Sequence, residues 1–565
     1  MKTIYRIFKS VGLALIALWM VSCQDLLTED PKGQLAVTNF FNSKADLDLA
    51  LNGMYSKVAS DMYANIWAGF ESVMGDDIST HPAANKQGLR EVDTYNVSDN
   101  NIIMEIATCV PSHCTYNVSD NNTWVTELWG ARWRLVKAAN FIIDNAGRTP
   151  EVSQEEKDAA IGQAYYWRAY SYFYFVMAWG EVPMVVKDEI NYNMPLATVP
   201  EIYELIVSDL KKAETMVPAN YTKEPYARNG VNIAVSQGAV KATLAYVYMA
   251  MAGWPLNKGA EYYQLAAAKA KEVIDAAKKG TYYYKLLPDY KQVYSMEYNK
   301  NNPEVLLGVY YNLGIDALTN APLADFLADY AYGGGGWGDT NGEIKFWYDF
   351  PKGSRKDASY FPKIILKNET QLRDWWEDPN PEAPRVVVAP CFMKKVETTT
   401  GEEFDYTNPK ISMNQNGEKT HQIIRLAEVY CWYAEAVGRS KTGSITEAVN
   451  LLNEVRNRAN GSVVADRDIY KTTMSYDDLA EAAYNEHGWE IAGYYWGNIA
   501  TRARDMFRMN RIKDHFEYRK LNPEIEVAPG VFRKEAVPVS GTWNDSKMYL
   551  PRPFVDSSIN PNLKN

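Results

Sequence analysis

The sequence predicts an all-α protein, mainly helical, in which consecutive helix pairs pack against a long irregular region. Apolar residues recur at the 3.6-residue spacing of amphipathic helices in several segments. Short breakers join two pairs of these segments, Gly253-Trp254-Pro255 in one and the polar run SKTGS in the other. Between these pairs lies a stretch from about Thr281 to Gly417 with little periodicity and several prolines. Helices therefore form the scaffold, and the aperiodic stretch is a separate feature.

The chain begins with the features of an export signal. Lys2, Arg6 and Lys9 form a basic start, and residues 11–21 are uncharged and apolar. This run is too short to cross a bilayer core of roughly 30 Å, which needs about 20 helical residues, but it suits the hydrophobic part of a signal peptide. The pair Ser22-Cys23 then resembles a bacterial lipobox. We expect lipidation of Cys23, with ordinary secretion and cleavage elsewhere as the alternative.

The amphipathic segments follow one another as stacked helix pairs. One pair cannot bury its apolar face alone, so stacking must supply the core. The similar size of the units suggests a tetratricopeptide-like array. The aromatic run YYWRAYSYFYF, at helical spacing, is expected to pack in that core. The predicted helices are Ala45–Ser60, Trp124–Ala146, Glu155–Trp179, Ile202–Met216, Val235–Ala252, Glu261–Ala277, Ile423–Gly438 and Ile445–Ala459.

Two stretches break the helical pattern, at about 62–122 and 281–417. The second holds the apolar runs VLLGVYY and VVVAPCF, which predict short strands. The first repeats the octapeptide TYNVSDNN and is expected to be an inserted loop. Cys109 and Cys114 lie between the two copies, close enough for a local disulfide, whose formation stays open. Long aperiodic stretches in compact proteins are usually functional.

The composition favours binding over catalysis. The chain contains 40 Tyr, 16 Trp and 17 Phe, and tyrosine suits wet surfaces that also make flat contacts. The formal charge of −11 argues against a nucleic-acid binder, which should show a basic face. Five His and five Cys leave little material for a metal site built on these residues, and we expect neither such a metal nor a cofactor. Calcium binding stays open, although no twelve-residue loop of alternating acids is present.

The signals for an enzyme are weak. A glycosidase needs two carboxylates about 5 Å or 6.5–9.5 Å apart, and no motif fixes such a spacing here. Glu428 and Glu435, with Arg425, Arg456 and Arg458, instead predict a structural ion network. Neither a GxSxG nor an HExxH motif occurs. The carboxylate pairs considered are Asp76-Asp77, Glu402-Glu403 and Glu428 with Glu435.

Binding of a sugar is the sharper hypothesis. A sugar ring presents an apolar face of C–H bonds and a rim of hydroxyl groups, so its site needs exposed aromatic rings with polar side chains nearby. Both aperiodic stretches offer this mixture, although burial beneath a loop is the alternative for each aromatic ring. The candidate glycan-binding residues are Trp67, Asp77, Arg90, Trp124, Tyr332, Trp337, Trp347, Trp375 and Trp376.

Several sequence elements, taken in order, resemble one family. They are CQDLLTEDP, FFNSKADLDLALNGMYSKV, ELWGARWRLVKAANFIID, AYYWRAYSYFYFVMAWGEVPMVV, IIRLAEVYCWYAEAVG with NLLNEVRNRAN, and the ending YLPRPFVDSSINPNLKN. Together they resemble the SusD/RagB family, surface lipoproteins that Bacteroidetes use to capture glycans. One departure is the stretch NEHGWEIAGYYWGNIATRARDMFRMNR, where Asp505 and Arg508 keep the family pattern but the paired glutamates do not.

The resemblance implies a monomeric protein of four tetratricopeptide-like helix pairs packed against an irregular ligand-binding region. It implies a non-catalytic glycan-binding lipoprotein of the outer-membrane surface that delivers polysaccharide or oligosaccharide to a SusC-like TonB-dependent transporter. A docking or lid subunit for another nutrient, such as peptides, is the alternative, and a glycoside hydrolase is less favoured. The expected organisation is a signal peptide at 1–22 and one domain at 23–565. Its scaffold would lie at about 40–280 and 420–520, and its binding region at about 62–122 and 281–417.

Overall fold

Helices provide most of the regular structure, as predicted from the apolar spacing. In the computed structural model, the helices of the described residues are α1 Lys44–Ser56, α2 Gln87–Asp93, α3 Thr123–Asn145, α4 Gln154–Ala178, α5 Val199–Met216, α6 Gln237–Ala252, α7 Ala260–Lys278, α8 Tyr290–Val293, α9 Ile344–Asp349, α10 Ser354–Ser359, α11 Leu426–Ser440, α12 Ile445–Asn460, α13 Tyr476–Ile491, α14 Arg502–Arg508, α15 Ile512–Leu521 and α16 Phe554–Ile559. The structure describes residues 40–59, 72–82, 87–97, 103–106, 116–119, 123–187, 191–223, 225–228, 230–312, 340–366, 369–380, 382, 384–394, 396–398, 402–408, 418–461, 467–493 and 497–564.

Consecutive helices pack side by side along the scaffold. Helix α4 lies between α3 and α5, α6 packs against α5 and α7, and α7 contacts α11. Helix α11 in turn packs against α12 and α13. Neighbouring helices therefore bury one another's apolar faces, which confirms the predicted mainly helical fold.

Local sequence sets where these helices begin. Ser153 and Thr198 cap α4 and α5, and each exchanges hydrogen bonds with a glutamate three residues later. Between α6 and α7, the N–H of Trp254 donates to the carbonyl of Arg508 at 2.8 Å. A Cβ atom on Gly253 would lie 2.0 Å from that same carbonyl oxygen, so the turn requires glycine.

The aromatic run in α4 lies in the core, as predicted. Tyr166, Trp167 and Tyr170 are at most 1 % exposed, and Cys431 is fully buried in α11. The ring of Tyr165 is only partly buried and lies 4.8 Å from the ammonium group of Lys212.

The strands are short and form two-stranded sheets. They are β1 Ile78–Thr80, β2 Ile103–Ile106, β3 Tyr116–Ser119, β4 Val182–Pro183, β5 Leu196–Ala197, β6 Ala227–Arg228, β7 Val231–Asn232, β8 Val305–Val309, β9 Thr340–Gly342, β10 Ile364–Ile365, β11 Leu372–Arg373, β12 His421–Arg425, β13 Ile525–Ala528 and β14 Val531–Arg533. The pairs are β1 with β9, β8 with β12, and each other strand with its neighbour in sequence, all antiparallel.

Three sequence predictions need correction here. The run VVVAPCF forms no strand, and only Phe392 pairs, in an isolated bridge with Tyr360. The helix predicted from Ile423 begins at Leu426, because His421–Arg425 pairs with Val305–Val309 as a strand. The second TYNVSDNN copy is not simply a loop, since its residues 116–119 pair with 103–106. Residues 94–97 of the first copy lie outside any strand. Cys109 and Cys114 lie outside the described residues.

The predicted ion network exists in a different form. Glu428 and Glu435 are fully buried, but Glu435 pairs with Arg508, 2.7 Å away. Arg425 lies 3.9 Å from Glu428, as predicted, but it pairs more closely with Glu304 and Glu490, which it shares with Arg458. Arg355 adds a third guanidinium, 2.9 Å from Glu490. We call Arg355, Arg425, Arg458, Glu304 and Glu490 the Glu490 cluster; it ties β12, α10, α12 and α13 together beneath the irregular region.

Candidate functional site

The two aperiodic stretches meet in the sheet formed by β1 and β9. Ser79 lies opposite Asn341 in this antiparallel pair. The Glu343 N–H donates to the Asp77 carbonyl at 3.0 Å, and the Gly342 N–H donates to the Pro390 carbonyl at 2.8 Å. Parts of the chain that are far apart in sequence are thus joined in one buried strand pair.

Buried charges hold this junction to the helical scaffold. The guanidinium group of Arg519 lies 3.0 Å from Asp93 and 3.4 Å from Glu343. His515 bridges the same region, with Nε2 2.8 Å from Glu343 and Nδ1 2.8 Å from the Tyr95 hydroxyl. Asp93 and Tyr95 belong to the first aperiodic stretch and Glu343 to the second. Because all three bind side chains of α15, this helix holds both stretches to the scaffold.

Two buried acids beside the junction have raised pKa values. Burial raises the pKa of Asp77 to about 7, although its carboxylate accepts a hydrogen bond from Gly493 at 2.7 Å. Burial likewise raises the pKa of Glu535 to about 7, and Glu535 accepts from the N–H of Ile344 at 2.6 Å. These acids are parts of the supporting structure rather than exposed ligand contacts.

A cleft of about 480 Å³ opens next to the junction. We call it the junction cleft; its lining includes Asp76, Phe346, Trp489, Arg502, Arg511 and Tyr518. Aromatic rings and hydrogen-bonding side chains therefore face one space, with Trp489 and Tyr518 half-buried. This is the mixture that a sugar ring requires.

Ion pairs fix the polar side chains of the junction cleft. Arg502 binds Asp76 through two contacts of 2.6 and 3.0 Å, and although burial opposes it, this pairing holds the pKa of Asp76 below its usual range. Arg511 binds both oxygens of Glu481 at 2.8 Å. Both guanidinium groups lie 4.3 Å from the ring of Tyr484. The donors are thus oriented before any ligand arrives, which reduces the entropy lost on binding.

Three tryptophans cluster on the other side of α9. The ring of Trp347 lies 5.0 Å from that of Trp375 and 5.6 Å from that of Trp376. Trp375 is only 2 % exposed, whereas Trp347 and Trp376 are half-buried. The ammonium group of Lys356 lies 4.1 Å from the Trp347 ring and covers one of its faces. Trp376, held through its carbonyl by Arg533, is therefore the more available ring of the cluster.

Helix α9 places both features side by side. Phe346 faces the junction cleft, and the next residue, Trp347, packs in the tryptophan cluster. Ile344 begins the helix with its N–H bound to Glu535. One short helix thus joins the cleft and the cluster.

The predicted glycan-binding residues have different placements. Asp77 and Trp375 are buried, so neither presents its side chain to a ligand. Arg90 is half-buried and donates to the Pro82 carbonyl at 2.8 Å. The structure brings Trp347 and Trp376 together around Trp375. Trp67, Tyr332 and Trp337 lie outside the described residues, as does the side chain of Trp124, whose backbone is in the first turn of α3.

Sequence reasoning missed the scaffold side of the junction cleft. Trp489 lies in α13 and Tyr518 in α15, neither of which was predicted as a separate helix. One sequence signal pointed to this side of the cleft: the stretch NEHGWEIAGYYWGNIATRARDMFRMNR, which departs from the family pattern, contains Trp489 and Arg502. Among the residues that the structure describes, no group of His, Cys, Asp or Glu is arranged to hold a metal ion.

Comparisons with known proteins give a consistent result. A family model described as SusD-like, starch-binding and associating with the outer membrane matches residues 25–249, and the SusD family model matches residues 392–565. A SusD-like protein of Bacteroides ovatus is 24 % identical over 509 residues, which cover 87 % of this chain and 82 % of that protein. SusD-like protein P25 of Formosa agariphila is 21 % identical over 546 residues, covering 90 % and 91 %.

Solved structures share the fold. A SusD superfamily protein from Parabacteroides distasonis aligns with a TM-score of 0.65 at 18 % identity, covering 92 % of this chain and 98 % of that one. A protein crystallised with xylogluco-oligosaccharide aligns with a TM-score of 0.64 at 20 % identity, covering 92 % and 97 %.

Proposed function

This chain belongs to the SusD/RagB family, and from that premise we propose that it is a non-catalytic glycan-binding lipoprotein of the outer-membrane surface. It captures polysaccharide or oligosaccharide and delivers it to a SusC-like TonB-dependent transporter. Cys23 carries the lipid anchor in this proposal. The description of the matching family model and the xylogluco-oligosaccharide bound to a structural relative support it.

One observation carries the binding role: the two aperiodic stretches are joined at β1 and β9, next to a cleft and a half-buried Trp376. A sugar ring stacked on an aromatic face, with hydroxyl groups bound by oriented Asp and Arg side chains, fits this surface. Trp376 and Tyr518 are the aromatic contacts we assign among the described residues. Trp67, Trp124, Tyr332 and Trp337 remain predicted contributors from the neighbouring parts of the sequence.

The states of the carboxylates support binding rather than hydrolysis. Asp77 is buried and accepts a hydrogen bond from the Gly493 N–H, while Asp76 is paired with Arg502. Glu428 and Glu435 are fully buried. A retaining or inverting glycosidase needs two carboxyl groups facing the same glycosidic bond, and these four side chains have other partners.

Affinity electrophoresis on a panel of polysaccharides, including xyloglucan, tests the proposal. Trp376→Ala should reduce glycan retention at least tenfold, or about 1.4 kcal/mol, and leave the melting temperature nearly unchanged because the ring is half-exposed. Tyr518→Ala reports on the junction cleft in the same way. Tyr283→Ala removes a 40 % exposed ring elsewhere and serves as the matched control. Loss of stability without loss of retention would make Trp376 a packing residue instead.

Calorimetric titration separates the alternatives. Absence of heat with every polysaccharide would favour a docking or lid subunit for another nutrient, such as peptides. Released oligosaccharide in the same samples would overturn the non-catalytic assignment. Trp337→Ala extends the test to the glycine-rich sequence GGGGWG at 333–338, where reduced retention is expected.

A further inference from the structure

The C-terminal end of the chain presents an exposed apolar surface. Phe554, Val555 and Ile559 in α16 are 44 %, 47 % and 54 % exposed, and Tyr192 is 63 % exposed. We call these four residues the C-terminal patch. Exposing several large apolar side chains together costs solvation free energy and usually marks a contact surface.

Hydrogen bonds bring the two parts of the patch together. The side-chain amide of Asn560 donates to the Met194 carbonyl at 2.9 Å, and that of Asn562 donates to the Asn193 carbonyl at 3.1 Å. The indole N–H of Trp129 binds the carboxylate of Asp556 in α16. The terminal NPNL motif thus has a structural role: it fixes the loop that carries Tyr192 against α16.

The start of the described chain and the patch's helix α16 both contact helix α3. The side-chain amide of Asn140 donates to the Val185 and Lys187 carbonyls, at 3.0 and 3.2 Å, which anchors the start of the same loop. Its neighbour Phe141 packs against Phe40, with ring centroids 5.4 Å apart. The described chain therefore starts close to the loop that leads to Tyr192.

The distance to the expected anchor is short. Cys23 precedes Phe40 by seventeen positions. A coil of that length has a root-mean-square span of roughly 20–25 Å and reaches about 60 Å when fully extended. If Cys23 is acylated, Phe40 is held within that distance of the bilayer, and the patch lies a further ~18 Å along α3, at Trp129.

We propose that the C-terminal patch inserts its apolar side chains into the interfacial layer of the membrane and acts as a second membrane contact beside the lipid anchor. The idea rests on the proposed acylation of Cys23. Tyrosine and phenylalanine suit the boundary between head groups and acyl chains. Exposed Lys187 and Lys564, near the loop and α16, add attraction to anionic head groups. Two contacts orient the protein, whereas a tether alone permits many orientations.

Flotation with vesicles of phosphatidylethanolamine and phosphatidylglycerol tests the patch without the lipid. The protein is residues 23–565 carrying Cys23→Ala, which lacks the apolar signal segment and cannot be acylated. We expect it to float with the vesicles, and the added triple variant Tyr192→Ser, Phe554→Ser and Ile559→Ser to reduce the bound fraction at least tenfold. The matched control is Leu49→Ser, Leu265→Ser and Leu521→Ser, which removes side chains that are 53 %, 40 % and 80 % exposed elsewhere.

Three outcomes would overturn the proposal. The Cys23→Ala protein stays in the soluble fraction, or the control triple loses binding as fully as the patch triple. Alternatively, sedimentation shows a dimer that the patch triple abolishes, which assigns the surface to a second copy. Circular dichroism melting checks that each variant is folded.

The failure of this inference is distinct from that of the proposed function. Glycan retention by the patch triple should equal that of the unaltered chain, because Trp376 and the junction cleft are untouched. The N-terminal mass of the unaltered protein reports acylation separately. Vesicle binding by the Cys23→Ala protein, with no acyl group found on the unaltered chain, would refute the anchor and leave the patch contact standing.

Discussion

Glu490 offers the sharpest test of how the scaffold supports the site. Its carboxylate is fully buried and receives guanidinium groups from Arg355 at 2.9 Å and Arg425 at 2.7 Å, together with one from Arg458. These cations hold the pKa of Glu490 well below its usual range, even though burial opposes ionisation. Glu490→Gln keeps the shape of the side chain but removes the negative charge. Arg355 also pairs with Glu486 at 2.6 Å, so the substitution leaves uncompensated the one buried positive charge that Glu490 balanced.

The size of the effect follows from the burial. Breaking a buried ion pair by removing one partner costs about 3–5 kcal/mol, a large part of a typical unfolding free energy of about 5–15 kcal/mol. For 565 residues, an unfolding entropy of about 2.1 cal/mol/K per residue sums to about 1.2 kcal/mol/K. The expected fall in melting temperature is therefore about 3–4 °C.

Scanning calorimetry and urea unfolding measure this loss. The matched control is Glu454→Gln, because Glu454 pairs with Lys278 on the surface, where both side chains are nearly half exposed, and should change stability by less than about 1 kcal/mol. If Glu490→Gln were as stable as the unaltered chain, the ion cluster would not hold the scaffold together, and the reasoning above would fail.

Three further outcomes follow from the structure. Because burial raises the pKa of Glu535 to about 7, folding takes up a proton between about pH 4.5 and 7, and this group's contribution to the free energy of unfolding falls as pH rises through that range. Glu535→Gln should therefore reduce the difference between the unfolding free energies that urea titration gives at pH 5 and at pH 8. Gly438→Ala should destabilise by about 1–3 kcal/mol, measured by chemical denaturation, since the new Cβ would lie 2.6 Å from the Tyr476 carbonyl oxygen. Cys391 and Cys431, both buried, should resist iodoacetamide in the native protein and react after denaturation, as read by peptide mass spectrometry.

Each of these outcomes has its own control. Glu526→Gln, on an exposed side chain, should leave the pH slope unchanged, and an unchanged slope in Glu535→Gln would contradict the assigned titration. Gly53→Ala, at a helix position with open space around the Cβ, should be neutral or slightly stabilising. Rapid native alkylation of Cys431 would show that α11 opens readily.

The sequence predicted the helical scaffold well because amphipathic spacing is local information. Helix α12 was predicted to begin at Ile445, where it does begin, and α4 was predicted within a residue at either end. Strand β12 was missed because its partner, Val305–Val309, is distant in sequence. When the hydrogen-bonding partner of a strand is distant in sequence, the apolar spacing of the strand itself does not reveal the pairing.

The candidate site was predicted less completely, for physical reasons that adjacent residues illustrate. Trp375 and Trp376 are the same residue type side by side, yet one ring is buried and the other half-exposed. Only the packing of α9 and the contact from Arg533 decide between them. Trp489 and Tyr518 face the junction cleft from helices, so their placement depends on tertiary packing rather than on local composition.

The pairing of β1 with β9 has a consequence for the order of folding. Ser79 and Asn341 are separated by about 260 residues, and closing so long a loop costs more entropy than joining neighbouring helices. The helix pairs make mostly short-range contacts and should assemble early, whereas the strand pair can register only once both of its flanks are supported. The surface assigned to ligand would thus be the last part to mature, so a slow refolding phase seen by ligand-sensitive probes should trail the recovery of helical signal.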